Sequence, residues 1–100
     1  MGDEEQTGAA KRLHAIVEGR VQGVNFRSYT QTKALSLGLT GWVRNLPDGT
    51  VETMAEGDQS SLIDFLEFLH VGPPSAFVTH VEATWREASD EFGSFRVRYF

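Results

Sequence analysis

Residues 13–29, Leu13-His14-Ala15-Ile16-Val17-Glu18-Gly19-Arg20-Val21-Gln22-Gly23-Val24-Asn25-Phe26-Arg27-Ser28-Tyr29, carry the chain from one kind of order to another. Residues 13–19 are rich in branched apolar side chains and predict a strand. Residues 20–25 contain Gly23 and predict a loop. From Phe26 to about Leu37 there is no Gly or Pro. Phe26, Tyr29, Ala34 and Leu37 recur there at roughly helical spacing, and Gly38 closes the helix by accepting a positive φ. The first turn of a helix has unpaired N–H groups and a partial positive charge. A glycine-containing loop before such a turn folds its own N–H groups into a nest for an anion. Arg27 adds a planar cationic fork suited to two phosphate oxygens. Taken alone, one Gly and one Arg before a helix are a weak signal, and a strand-to-helix turn with a solvated arginine is the plainer reading.

The rest of the chain repeats the alternation. Residues 40–45 and 50–55 predict two strands joined at Pro47-Asp48-Gly49, where Pro presets φ and Gly supplies φ > 0. Residues 58–61 offer several N-cap candidates, and Ser61-Leu62-Ile63-Asp64 approximates a capping box. Leu62, Phe65, Leu66 and Leu69 form the clearest helical stripe, which Gly72-Pro73-Pro74 ends. Residues 77–86 predict a strand and residues 95–99 a short last one. The order is the split βαβ pattern: an antiparallel sheet of four to five strands with two helices on one face, class α+β. Its topology brings the 20–26 loop and the end of the strand at 44–46 to one end of the sheet, so Arg27 and Asn45 converge there.

The chain has 100 residues, enough for one domain. Residues 1–11 are polar and are expected to form a flexible tail before a domain at 12–100. The acidic N-terminus has no signal-peptide pattern, and no apolar run of about 18 residues exists, so no membrane association is expected. A cytoplasmic location is expected. There is no cysteine, which excludes disulfides, thiolate chemistry and Cys-based metal sites. The net charge is −5, unevenly placed. Residues 1–50 carry six Lys/Arg against five Asp/Glu, and residues 51–100 three against nine. That balance argues against nucleic acid as a partner. It permits a small anion at a local cationic site.

The motifs now become recognisable. Gly19-Arg20-Val21-Gln22-Gly23-Val24-Asn25-Phe26-Arg27 resembles the first signature of the acylphosphatase family. The stretch Gly41-Trp42-Val43-Arg44-Asn45-Leu46-Pro47-Asp48-Gly49-Thr50-Val51, running to Gly57, resembles the second. Phe95-Arg96-Val97-Arg98-Tyr99 is similar to the family's C-terminal strand, and the likeness covers residues 12–99. The resemblance implies a ferredoxin-like fold and hydrolysis of the carboxyl–phosphate bond of acyl phosphates. It implies that the backbone N–H groups of Gln22, Gly23, Val24, Asn25, Phe26 and Arg27, with the Arg27 guanidinium, bind the phosphoryl oxygens. It implies that Asn45 orients the attacking water, with no metal and no organic cofactor. Two positions depart from or vary within the pattern. Leu46 stands where some members carry a hydroxyl, and Asn25 where some carry Cys; Asn25 is given no chemistry.

The remaining candidates have plainer readings. His14, His70 and His80 lack metal-ligand spacing. Ser28 reads as a local hydroxyl near a helix start. Gln22 either acts or shapes the loop. Arg20 and Arg44 raise the potential at the same sheet end as solvated charges. Phe26, Tyr29 and Trp42 read as core, and the acids from Glu82 to Glu91 as a solvated face. An RNA-recognition domain shares the strand order, but residues 13–19 and 50–55 carry no aromatic for stacking. A metal chaperone of this topology needs a cysteine pair. A third alternative, an acylphosphatase-like domain of a longer carbamoyl-transfer protein, is disfavoured by a chain that stops after its last strand. A free-standing, monomeric enzyme acting on a small acyl phosphate or binding phosphate is expected.

Overall fold

A computed structural model describes residues 10–100. The elements run β1 (Ala10–Arg20), α1 (Phe26–Ser36), β2 (Thr40–Asn45), β3 (Val51–Asp58), α2 (Gln59–Val71), β4 (Phe77–Glu87) and β5 (Phe95–Arg98). One sheet of order β4-β1-β3-β2-β5 carries both helices on a single face. Residues 1–9 of the expected tail lie outside the described residues; Ala10 and Lys11 already pair with β3, so β1 starts before residue 12.

Strand alternation sorts the side chains. Leu13, Ala15 and Val17 of β1, Val43 of β2, Val51, Thr53 and Ala55 of β3, and Phe95 of β5 point to the helices and are buried. Against them pack Phe26, Thr30 and Ala34 of α1 and Leu62, Phe65 and Leu69 of α2. Phe65 meets Phe95 edge-on at 5.9 Å between ring centroids, a favoured arrangement of aromatic quadrupoles. In α1 the buried set follows an i, i+4 step through Thr30. Tyr29, expected in the core, is 47% exposed, because it falls to the side of that stripe. In α2 the stripe read from the sequence is the buried one, with Leu66 packed against its flank. The helix starts earlier than the capping-box reading placed it. Asp58 is the N-cap, without a side-chain cap bond, and Ser61 lies inside the first turn.

The sheet differs from the expected antiparallel one at one edge. β1, β3, β2 and β4 pair antiparallel, but β5 runs parallel to β2. Chain direction explains this. β4 ends at the sheet end where β1 begins, so the connection must cross to the far edge at that end and start β5 in the direction of β2. Glu56 of β3 holds the crossing in place. It is 4% exposed, and its carboxylate accepts from Arg12 Nε at 2.7 Å, from the Ser89 and Asp90 N–H groups at 2.9 Å each, and from Ser89 Oγ at 3.0 Å. Burial alone would raise this carboxyl. The bonds from Ser89 N–H, Arg12 and Asp90 N–H outweigh burial and hold it below its ordinary value of 4.5. A depressed folded value means that the stabilisation is full above the unfolded value and is lost as pH falls through the folded one. Thermal stability should therefore drop as the pH goes below 4.5. Glu56→Gln should flatten that part of the profile and cost about 2 kcal/mol at neutral pH, because it weakens four hydrogen bonds to a buried carboxylate and leaves Arg12 with Glu91 as its remaining charge partner. Melting curves of both proteins between acid and neutral pH check this; parallel profiles would refute it.

At the opposite end of the sheet, β1 closes with a bulge between Glu18 and Gly19. A Cβ at Gly19, whose φ is +127°, would run into the Phe77 carbonyl oxygen. The glycine thus lets β4 lie against the strand where it turns into the loop.

Candidate active site

The end of β1, the start of α1 and the ends of β2 and β5 meet at that second sheet end and enclose a cavity of about 410 Å³. Its floor is the loop and first helical turn, through Val21, Gly23, Asn25, Phe26 and Arg27. Gly23 has φ +76° and Asn25 φ +63°, both left-handed. Left-handed residues are what an anion nest uses to turn successive N–H groups to one side. Asn tolerates the left-handed conformation better than most side chains, which gives Asn25 a backbone reason for its identity. Asn25 O accepts the Tyr29 N–H at 3.0 Å, so the ladder begins there and the N–H groups of Phe26, Arg27 and Ser28 have no acceptor within the helix. No acidic residue lies in the first turn to compete for them.

Arg27 is half-buried at the cavity. Its guanidinium lies 4.8 Å from the centre of the Tyr99 ring, and Nη1 donates a long 3.4 Å bond to the Arg98 carbonyl. The ring covers one face of the guanidinium and leaves its edge for a ligand. Asn45, the last residue of β2, lines the cavity from the other side. Alternation places it on the helix-facing side of the sheet with Val43, so the convergence expected from topology is present.

The other expected residues distribute differently. Gln22 and Val24 do not line the cavity. Val24 packs against the core, and the Gln22 side chain turns to the β2–β3 turn, where Nε2 donates to Leu46 O and Thr50 O at 2.8 Å each. Arg44 is next to Asn45 in sequence and therefore on the opposite sheet face. It donates to Glu52 Oε1 at 2.7 Å and to Phe100 O at 3.1 Å, and lies 5.2 Å from the Trp42 ring centre. Arg20 is exposed and also absent from the lining. Of the three arginines assigned to this sheet end, Arg27 alone reaches the cavity. His14 sits on the open face, 2.7 Å from Glu52 Oε2. Burial raises the Glu52 carboxyl, but His14 and Arg44 more than offset it, so it lies below its ordinary value.

Ser28, Gln31, Val97 and Tyr99 also line the cavity, and of these only Ser28 was singled out in the sequence. Gln31 carries a usable signal, since it lies four residues after Arg27 and so on the same helix face. Its Nε2 donates to Phe95 O at 3.0 Å, tying α1 to β5. Val97 of β5 and Tyr99, one residue past its end, are two positions apart, but only the parallel pairing with β2 shows that they reach this wall.

The fold and cavity define a small α+β domain of the ferredoxin-like class with a cavity at its first strand-to-helix loop. The acylphosphatase family model matches residues 13–97. A relative named acylphosphatase in Dehalococcoides mccartyi is 48% identical over 88 residues, spanning 87% of this chain and 97% of the relative. The crystal structure of an acylphosphatase from Bacillus subtilis superposes with a TM-score of 0.86 at 38% identity, over 89% of this chain and 99% of that one. An acylphosphatase structure from Coxiella burnetii gives 0.82 at 41% identity, over 98% and 100%. The chain belongs to the acylphosphatase family. Among the described residues, no helix is long and apolar enough to cross a membrane.

Proposed function

We propose that the protein hydrolyses the carboxyl–phosphate bond of small acyl phosphates in the cavity between Arg27 and Asn45. The loop N–H groups of residues 22–27 and the Arg27 guanidinium hold the phosphoryl oxygens. Asn45 orients a water whose oxygen attacks phosphorus. The bond from phosphorus to the acyl oxygen breaks, and its electron pair leaves with the carboxylate. The conjugate acid of that leaving group has a pKa of about 4, as a Glu side chain has. It departs unprotonated, and no general acid is required. Asn45 is an amide and no base, so the water proton passes to a phosphoryl oxygen of the substrate. Phosphoryl transfer asks chiefly for positioning and for neutralising charge on the equatorial oxygens; the nest and Arg27 meet the second need, the Asn45 amide the first. Neither a metal nor an organic cofactor takes part.

The observation that carries this reading is the shared cavity, which Arg27 enters from the helix and Asn45 from the end of β2. The family match adds the reaction class. We propose a cytoplasmic monomer; one chain supplies both Arg27 and Asn45 to the cavity. Hydrolysis of benzoyl phosphate in the presence of EDTA, with competitive inhibition by inorganic phosphate, is the expected result. Loss of activity on chelation and recovery with a divalent ion would overturn the metal-free mechanism.

A further inference from the structure

Gln22 belongs to the anion loop, yet its side chain leaves the cavity. Its amide has two hydrogens, and both are given to carbonyls of the β2–β3 turn. Leu46 O also accepts the Gly49 N–H at 3.1 Å, and Thr50 O accepts the Leu46 N–H at 2.9 Å. A carbonyl has two lone pairs, so Gln22 takes the second acceptor position of each. The turn does not need these bonds to form. It closes through its own main-chain pair and through Asp48 Oδ1, which accepts from Thr50 N at 3.0 Å and Thr50 Oγ1 at 2.6 Å. What the Gln22 fork fixes is the placement of the turn relative to the loop. Asn45 immediately precedes Leu46, and Gly23 of the nest immediately follows Gln22.

We propose that Gln22 is a positioning residue for the hydrolysis, setting the separation between the phosphoryl nest and Asn45 and so the line along which water meets phosphorus. The inference rests on the roles proposed above for Arg27 and Asn45. Misplacing a reacting group by about 1 Å costs up to about 10²-fold in rate, so a loosened fork acts on kcat. The nest and Arg27 remain, so phosphate affinity is largely kept.

The test measures kcat, KM and the phosphate inhibition constant for Gln22→Met, Asn45→Ala and the double variant, with benzoyl phosphate as substrate. Methionine matches the length of glutamine and donates nothing. Gln22→Met should lower kcat about tenfold or more while phosphate inhibition shifts less than about threefold. In the Asn45→Ala background the same change should cost less than about twofold, because the group it positions is gone. An unchanged kcat in Gln22→Met, or an equal penalty in both backgrounds, overturns the positioning role while leaving the site reading intact. An unchanged kcat in Asn45→Ala overturns the site reading, and this inference with it. Gln22→Glu gives an independent readout, also available should the methionine variant not fold. Its ionised carboxylate faces two carbonyl oxygens, whereas the protonated acid donates to one of them. Its kcat should therefore rise relative to the parent protein as pH falls; a constant ratio contradicts the fork.

Discussion

Arg27→Ala should abolish phosphate binding and lower kcat/KM by about 10³-fold or more, the range seen when a guanidinium is removed from a phosphoryl-transfer site. Arg27 brings the permanent positive charge among the cavity-lining side chains. The chain as a whole is negative, with nine Asp/Glu in its second half. On the proposed reading, a phosphoryl dianion depends on this side chain and on fixed backbone dipoles. The fold should tolerate the loss. Arg27 is half-buried, its bond to Arg98 O is long, and its stacking on Tyr99 is at a ring 78% exposed. Such an exposed cation–π contact is worth about 1 kcal/mol or less. A circular dichroism melt close to that of the parent protein, together with lost phosphate inhibition, is the expected pair of results. Turnover of benzoyl phosphate near the parent rate would remove Arg27 from the site.

Asn45→Ala should separate binding from turnover. Phosphate inhibition should stay within a few-fold of the parent value, while kcat falls by about 10² or more, as for other positioned polar groups that act in the transition state. The difference from Arg27 follows from placement. Arg27 sits in the first turn of α1 with the nest, whereas Asn45 faces it from the end of β2 across the cavity. An alanine there removes an amide that accepts from and donates to water, with no change in charge. Steady-state kinetics with phosphate as inhibitor check both halves. An unchanged kcat would end the water-orienting role.

The sequence was legible where a residue's role depends on its neighbours in the chain. The strand–loop–helix reading of residues 13–37, the hairpin at Pro47-Asp48-Gly49 and the stripe Leu62, Phe65 and Leu69 are all local patterns, and the structure has each of them. The meeting of Arg27 and Asn45 follows from strand order alone. Less legible were features set by pairing between distant segments. The parallel β2–β5 pair, which brings Tyr99 onto Arg27, depends on where the 88–94 connection crosses the sheet. Arg44 reads as a solvated charge raising the potential at the site's end of the sheet, but one residue along a strand from Asn45 is the other face, where it pairs with Glu52. Tyr29 shows the same limit on a helix, where roughly helical spacing does not say which of two neighbouring stripes faces the sheet. Gln22 is the opposite case. Its place in the loop drew notice, but its two acceptors are 24 and 28 residues away.

The central claim is that the phosphoryl group sits on the nest formed by residues 22–27 beside Arg27. Titration of inorganic phosphate into the 15N-labelled protein, followed amide by amide, tests it most directly. The largest saturating shifts should fall on the backbone N–H groups of Gly23 to Arg27, with a midpoint equal to the kinetic inhibition constant. Saturating shifts centred on the open sheet face around Arg44, Arg96 and Arg98, with residues 22–27 unmoved, would contradict it.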